Sequence, residues 1–373
     1  MSLEKALQVA RFGGEKLSET YSKYERFLPA ASFGAGIVFD LTTLGRIDQM
    51  SNIIQIGIYL IVIAGLLYLE AQDQRSAVRP PQFLTKVWRY RVEVTHFFLG
   101  SLLSAFTIFF LKSGTLVSSF LFLAIIAGGL VANEFSEFRA FGLMIRVVLF
   151  SLCLISYTVA VVPVFWGRIG LPQFLTALVA AAAMFSIFAF IFFKRGFDQL
   201  WIRKQVIYPF SATFVSFFLL YAIGAIPPVP LSLTHLGIYR SVERADGNYK
   251  VTYARPKWKF WQSGDQTFTY RAGERVFTFF SVFSPGGFKE KVQVRWLSYS
   301  AAGGWEKSDA VPVGITGGRE QGYRGFAWKQ AVKPGLWQVR IETNDGREIG
   351  RLSFEIVDDP EPASERQLHE ELL

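Results

Sequence analysis

The sequence predicts an α-helical membrane bundle of about seven transmembrane helices, followed by an all-β, immunoglobulin-like sandwich domain. Three observations predict it. Apolar runs of about 20 residues, the length that crosses a bilayer core, recur up to residue 227. Beyond that point the runs become short and alternating, split by Gly, Pro, Asn and Asp, which is how strands and turns are written. The charge also changes there: residues 1–231 hold 12 acidic side chains, and the shorter stretch 232–373 holds 18.

Residues 1–27 mix both charge signs and lack the apolar core of a signal peptide. They read as a cytoplasmic N-terminal tail or, from Leu3, Ala6, Leu7, Ala10 and Leu17 at helical spacing, as an amphipathic helix. Residues 28–227 form the transmembrane helical domain. Spans are expected at about 51–71, 94–111, 114–133, 141–165, 172–193 and 206–227. The segment 28–45 is shorter and contains Asp40, with Pro29 suited to a helix start. It reads as a seventh span, the alternative being a re-entrant or interfacial segment.

Loop charges favour seven. One side then receives Lys5, Arg11, Lys16, Lys23, Arg26, Arg75, Arg79, Lys86, Arg89, Arg91, Arg139, Lys194, Arg195, Arg203 and Lys204. The short loops of the other side receive only Arg46, Lys112 and Arg168. By the positive-inside rule the N-terminus is cytoplasmic and everything after the last span lies outside. The expected location is the cell inner membrane, multi-pass, with the C-terminal domain periplasmic or extracellular.

Pro227, Pro228 and Pro230 cannot continue a helix, so 228–237 reads as a Pro-rich linker. The β-sandwich domain is placed at 238–357, with strands at about 249–254, 266–270, 275–283, 291–299, 310–315, 325–331, 336–343 and 348–357. About eight short strands suit an immunoglobulin-like sandwich. Its closing hairpin, "GLWQVRIETNDGREIGRLSFEIV", turns at Asp345-Gly346, where a tight hairpin wants positive φ. Trp296 and Trp337 read as core. Residues 358–373 read as an acidic flexible tail.

The net charge of +9 comes mostly from residues 1–231, with 19 basic side chains against 12 acidic. That is loop charge in a membrane protein, and no nucleic-acid partner is expected. A single cysteine, Cys153, excludes a disulfide within the chain and a Cys-based metal site. His96, His235 and His369 are scattered, so no metal or other cofactor is expected. The intramembrane polar candidates are Asp40, Glu93 and His96. Glu93 and His96 share a helix face, but a single Glu-x-x-His does not make a di-iron set. Asp40 would serve an ion-coupled transporter or channel-like device, or pair with a neighbouring helix.

Two segments of the β domain are candidate surfaces. In "GGREQGYR", Arg319 and Arg324 offer guanidinium groups to carboxylate or phosphate, Tyr323 offers a ring, and Glu320 either joins the site or closes an internal pair. Trp328 follows on the next strand. In "ARPKWKFWQ", Arg255, Lys257 and Lys259 alternate with Trp258, Phe260 and Trp261. This reads as a membrane-surface contact with anionic headgroups, or as a first strand with its apolar face inward.

Residues 270–357 resemble the bacterial domain of unknown function 2914, which in similar multi-span proteins follows a membrane region. The residues that carry the resemblance are Arg275, Phe277, Trp296, Gly317, Gly318, Arg319, Glu320, Tyr323, Arg324, Lys329, Gly335, Trp337, Gly346, Gly350 and Phe354. A histidine often stands in that family where this chain has Trp328, so no histidine-based role carries over. The resemblance implies a fold region and a membrane setting, and no activity.

The function expected is non-enzymatic: binding or scaffolding, with the exported sandwich contacting an envelope protein or glycan and the bundle held in the lipid bilayer. A reporter active only outside the cytoplasm, fused after residue 373, is expected to be active. A fusion that is expressed but silent would place the domain on the opposite side.

Overall fold

A computed structural model describes residues 46–75, 91–134, 142–245, 247–318, 322–359 and 366–373, except for the side chains of Glu93 and Glu134. Six helices long and apolar enough to cross a membrane lie among the described residues. They are α1 (Met50–Arg75), α2 (Arg91–Lys112), α3 (Leu116–Glu134), α4 (Leu143–Trp166), α5 (Leu171–Lys194) and α6 (Gln199–Ala222). The expected span at 28–45 and the N-terminal helix fall outside these residues. Outward-facing Ile61, Val117, Phe120, Val179 and Ile187 make the bundle surface apolar, where a water-soluble bundle would be polar. Aromatic contacts knit the interior, including Phe185 stacked on Phe210 at 3.9 Å and Phe174 on Tyr221 at 3.8 Å.

The last helix differs from the expected 206–227. It starts at Gln199, because the Asp198 side chain accepts the Trp201 N–H at 2.9 Å and caps the helix. It widens into a π turn over Arg203–Ile207 and ends at Ala222. Arg203 and Lys204, expected in the loop, lie inside this helix.

Eleven strands follow among the described residues: β1 (Ser232–Tyr239), β2 (Ser241–Ala245), β3 (Asn248–Tyr253), β4 (Thr267–Tyr270), β5 (Val276–Phe283), β6 (Lys289–Ser300), β7 (Gly304–Thr316), β8 (Tyr323–Lys329), β9 (Gly335–Thr343), β10 (Glu348–Asp358) and β11 (His369–Leu372). They form sheets ordered β1-β5-β8, β4-β10-β9-β6-β7 and β11-β3-β2. The first two enclose one core that includes Ile238, Phe280, Val282, Trp296, Trp337, Val339 and Phe354. The β9–β10 hairpin turns where expected, with Gly346 at φ 83°.

The third sheet was not expected. It covers the other face of β1-β5-β8 through Tyr239, Val242, Tyr249, Val251, Tyr253 and Phe279. β5 reads VFTFFSVF and is buried along almost its whole length, as a strand covered on both faces must be.

Two boundaries are corrected. β1 begins at Ser232, inside the expected linker 228–237, and Leu231 already belongs to the sandwich core. The prolines occupy only the turn before it. The chain end is not a free tail: β11 pairs antiparallel with β3, and Arg366 forms ion pairs with Asp359 and Glu274.

The sandwich seats on one end of the bundle. Lys289 N–H donates to Gly167 O at 3.2 Å in the α4–α5 turn. Thr115, in the α2–α3 turn, donates to Glu348 at 2.8 Å. Tyr221 of α6 donates to Asp345 at 3.4 Å and lies under the Arg347 guanidinium at 5.0 Å. Arg46, ahead of α1, lies over Phe283 at 4.5 Å. This is the end that carries Arg46, Lys112 and Arg168. Within the sandwich the backbones pack closely: a Cβ on Gly317 would stand 1.8 Å from Pro285 O, so only glycine fits there.

His235 lies between the first and third sheets, hydrogen-bonded to the Tyr239 hydroxyl at 2.8 Å and 5.7 Å from the Phe279 ring. Burial lowers its pKa below the ordinary value of 6.5, against the pull of Glu371 on β11. Below about pH 6.5 the unfolded chain therefore binds more protons at this site than the folded one. The His235 contribution is expected to be flat above that pH and to lower stability as pH falls through the folded value. Thermal unfolding from about pH 5 to pH 8 should show an acid-side loss that His235→Gln reduces. An unchanged profile in the variant would contradict it.

Candidate functional site

The segment 254–266 leaves β3 and returns to β4 as a loop, so it is not the first strand of the sandwich. Its base is pinned by Asp265, almost fully buried. The carboxylate accepts the Ala254 N–H at 2.8 Å and the Arg255 N–H at 2.7 Å, and pairs with Arg240 Nε at 3.2 Å. Asp265 N–H donates to Ile238 O at 2.7 Å. Gly264, at φ 72°, crosses β1 so closely that a Cβ would stand 1.9 Å from Ile238 O.

Burial pushes the Asp265 carboxyl up, although Arg240 and the two N–H donors pull it down. Burial likewise lowers Arg240, against Asp265, which raises it. Both shifts have the same meaning: desolvation outweighs attraction, so this pair specifies geometry more than it adds net stability.

Two tight turns shape the tip: Lys259 N–H donates to Pro256 O at 3.1 Å and Gln262 N–H to Lys259 O at 3.0 Å. Arg255 does not reach outward. Its guanidinium lies over Tyr253 at 4.6 Å and donates to Lys259 O at 2.6 Å. Exposed at the tip are Trp258 (64%), Phe260 (82%) and Trp261 (61%). Trp261 contacts Trp258 at 5.6 Å and Phe260 at 5.4 Å, edge to face, and Lys259 lies over Trp258 at 5.3 Å. Lys257 is exposed beside them. Three large aromatic side chains are thus held in water on a braced loop.

Its position corrects the expected contact with headgroups. Gly264 bridges Ile238, six residues along β1 from Ser232, or about 20 Å at strand rise. The headgroup layer beyond a bilayer core is only about 5–8 Å deep. The base of the loop therefore stands at the end of the sandwich away from the bundle.

The other expected surface is only partly brought together. Arg319 and Glu320 fall outside the described residues. Arg324 is engaged internally, donating to Asn248 Oδ1 at 3.2 Å, Gly247 O at 3.0 Å and Leu373 O at 2.9 Å. It ties the β2–β3 turn to the chain end, whose carbonyls need a donor, and is not offered to a ligand. Tyr323 packs against the sandwich core. Trp328 is half-exposed under the Arg275 guanidinium, 4.4 Å away.

Inside the bundle, Asp40 and the Glu93 side chain lie outside what is described. His96 Nδ1 meets Asn133 Oδ1 at 2.6 Å, and Asn133 donates back to His96 O at 2.9 Å. Sequence reasoning missed the pair nearby: Glu70 of α1 and Arg146 of α4 are both buried, with Arg146 Nε donating to Glu70 at 2.9 Å. A second pair, Arg91–Asp73, joins α2 to α1. These contacts lock helices together at the end opposite the sandwich. Among the described residues, no group of three or more His, Cys, Asp or Glu side chains is placed to hold a metal ion.

Sequence reasoning singled out the aromatic segment, as a surface or a first strand, but missed Asp265 and Arg240, which hold it as a loop. Neither stands near the loop's apolar residues in a pattern that spacing would reveal. Asp265→Ala leaves the Ala254 and Arg255 N–H groups without their acceptor, while Arg240 keeps Thr269 and Glu274 as partners. It should cost about 1–3 kcal/mol in thermal or denaturant unfolding and speed amide hydrogen exchange over 254–264. Unchanged stability and exchange would show that the loop is held by other contacts.

Residues 289–356 match the family model described as "Protein of unknown function (DUF2914)". No curated protein matches the chain. Among solved structures, an immunoglobulin-like protein from Pseudomonas aeruginosa is 10% identical, with 33% of this chain and 98% of that one covered and a TM-score of 0.19. A β-glucosidase from Listeria innocua is 13% identical, covering 34% of this chain and 16% of its own, with a TM-score of 0.19. An alkylpurine DNA glycosylase from Pseudomonas fluorescens is 11% identical, covering 84% and 100%, with a TM-score of 0.23. At such TM-scores these likenesses carry no argument about this chain.

Proposed function

We propose that this chain is a non-enzymatic, inner-membrane binding or scaffolding protein. In this reading the basic loops and the N-terminus face the cytoplasm, and an immunoglobulin-like sandwich projects outward to contact an envelope protein or glycan. The observation that carries it is the aromatic loop. Exposing Trp258, Phe260 and Trp261 to water costs solvation, and the Asp265–Arg240 bracing holds them pre-arranged. A clustered, exposed aromatic patch marks a contact surface, and a pre-arranged one loses less entropy on binding. The orientation is supported by the placement of the sandwich at the end of the bundle with few basic loop residues.

The test compares the full chain in nanodiscs with its Trp258→Ala/Phe260→Ala/Trp261→Ala variant, for retention of envelope proteins and cell-wall glycan. The three side chains are exposed, so the variant should keep its unfolding temperature. Removing such anchors typically costs about 2 kcal/mol or more each at an interface, so retention should fall by well over tenfold. Equal retention by both proteins would remove the loop as the contact surface.

A further inference from the structure

We propose that the cleft at the bundle–sandwich junction binds the phosphate of an anionic phospholipid headgroup. The cleft holds about 660 Å³ between the α4–α5 turn, the start of β6 and the end of β7. Arg168, Lys289 and Lys291 line it and are exposed. None of the three side chains forms an ion pair among the described residues. The acid among them, Glu290, is already occupied: one oxygen accepts the Ile169 N–H at 3.2 Å and the other the Lys291 N–H at 3.1 Å. The cleft therefore has a net positive lining.

Gln173 lines the cleft as well. Its side-chain amide makes no hydrogen bond among the described residues and is not sealed from solvent, so its N–H donors are available to a phosphate oxygen.

The level of the cleft selects the source of the phosphate. Trp166, which ends α4, and Leu171, which starts α5, are both exposed. A tryptophan at a helix end marks the membrane–water interface, and Arg168 lies two residues beyond it. This is where lipid phosphates lie, next to Ile169 and Pro172, which give the cleft apolar wall. Free phosphate offers the same chemistry but lacks the acyl chains that hold a lipid headgroup at this level.

The experiment titrates the full chain in neutral detergent with phosphatidylglycerol, phosphatidylcholine or inorganic phosphate, read by native mass spectrometry and thermal unfolding. Phosphatidylglycerol is expected to bind and raise the unfolding temperature, and the other two are not. Arg168→Gln/Lys289→Gln/Lys291→Gln should unfold like the parent without lipid. It should bind phosphatidylglycerol more weakly by about fivefold per charge, on the order of a hundredfold in total. Gln173→Ala in the parent background should also weaken binding, by less than the triple variant. Equal affinity in the triple variant, or equal binding of phosphatidylcholine, would overturn the proposal. Inorganic phosphate matching the lipid would also overturn it, in favour of a soluble-anion site. Photoreactive phosphatidylglycerol on the unmodified protein should label residues 289–291 or 168–173, and labelling confined elsewhere would count as a failure even if the triple variant did not fold.

Discussion

The architecture turns on one strand that must be dry on both faces. β5 presents Phe280 and Val282 to one side and Phe279 to the other. A strand so apolar cannot lie on the outside of a two-layer sandwich without exposing a row of aromatic rings to water. The third sheet answers that constraint, and its partners follow. The chain end returns as β11 to pair with β3, and Arg324 ties that end to the β2–β3 turn. β5 also sets direction. Phe283 meets Arg46 at the bundle, and at the other end Val276 lies level with Lys329, beyond Tyr239 of β1.

That direction gives the sandwich two unlike ends. The near end is polar and lies against helix turns, with hydrogen bonds and cation–π contacts crossing the junction. The far end carries three exposed aromatic side chains on a loop held by a buried carboxylate. At the far end charge serves position more than net stability. Asp265 and Arg240 are each shifted by burial against the charged form, yet together they fix where the loop starts. Glu70 and Arg146 fix how two helices meet, in a region where a lone charge would be far more costly.

The functional surfaces were legible to different degrees. Trp258, Phe260 and Trp261, interleaved with basic residues, read either as a surface or as a first strand with its apolar face inward, and the tertiary structure decides for an exposed loop. That they stand away from the bundle, not on its headgroups, was invisible, because it depends on the Gly264–Ile238 crossing. Arg324 was misread as an available cation. Its partners, Gly247, Asn248 and Leu373, lie about 50–80 residues away in sequence, and no local pattern announces a carbonyl that arrives from elsewhere. Arg168 stood out only as a rare basic residue on its side of the membrane. Its meeting with Lys289 and Lys291 across the junction is a tertiary fact.

What the sequence determined by itself was whatever depends on near neighbours along the chain. Span length, loop charge and the Asp345-Gly346 hairpin are local quantities, and so the first five described helices and the β9–β10 turn fell where they were expected, while the sixth starts earlier, at its Asp198 cap. Trp296 and Trp337 were legible as core because strand alternation gives the buried face. The tertiary structure decided the start of β1 inside a supposed linker, the pairing of β11 and the third layer. It also decided which charged groups remain free. Strand pairing and ion pairing join residues far apart in sequence, and whether a backbone edge or a guanidinium is satisfied depends on what the rest of the chain brings to it.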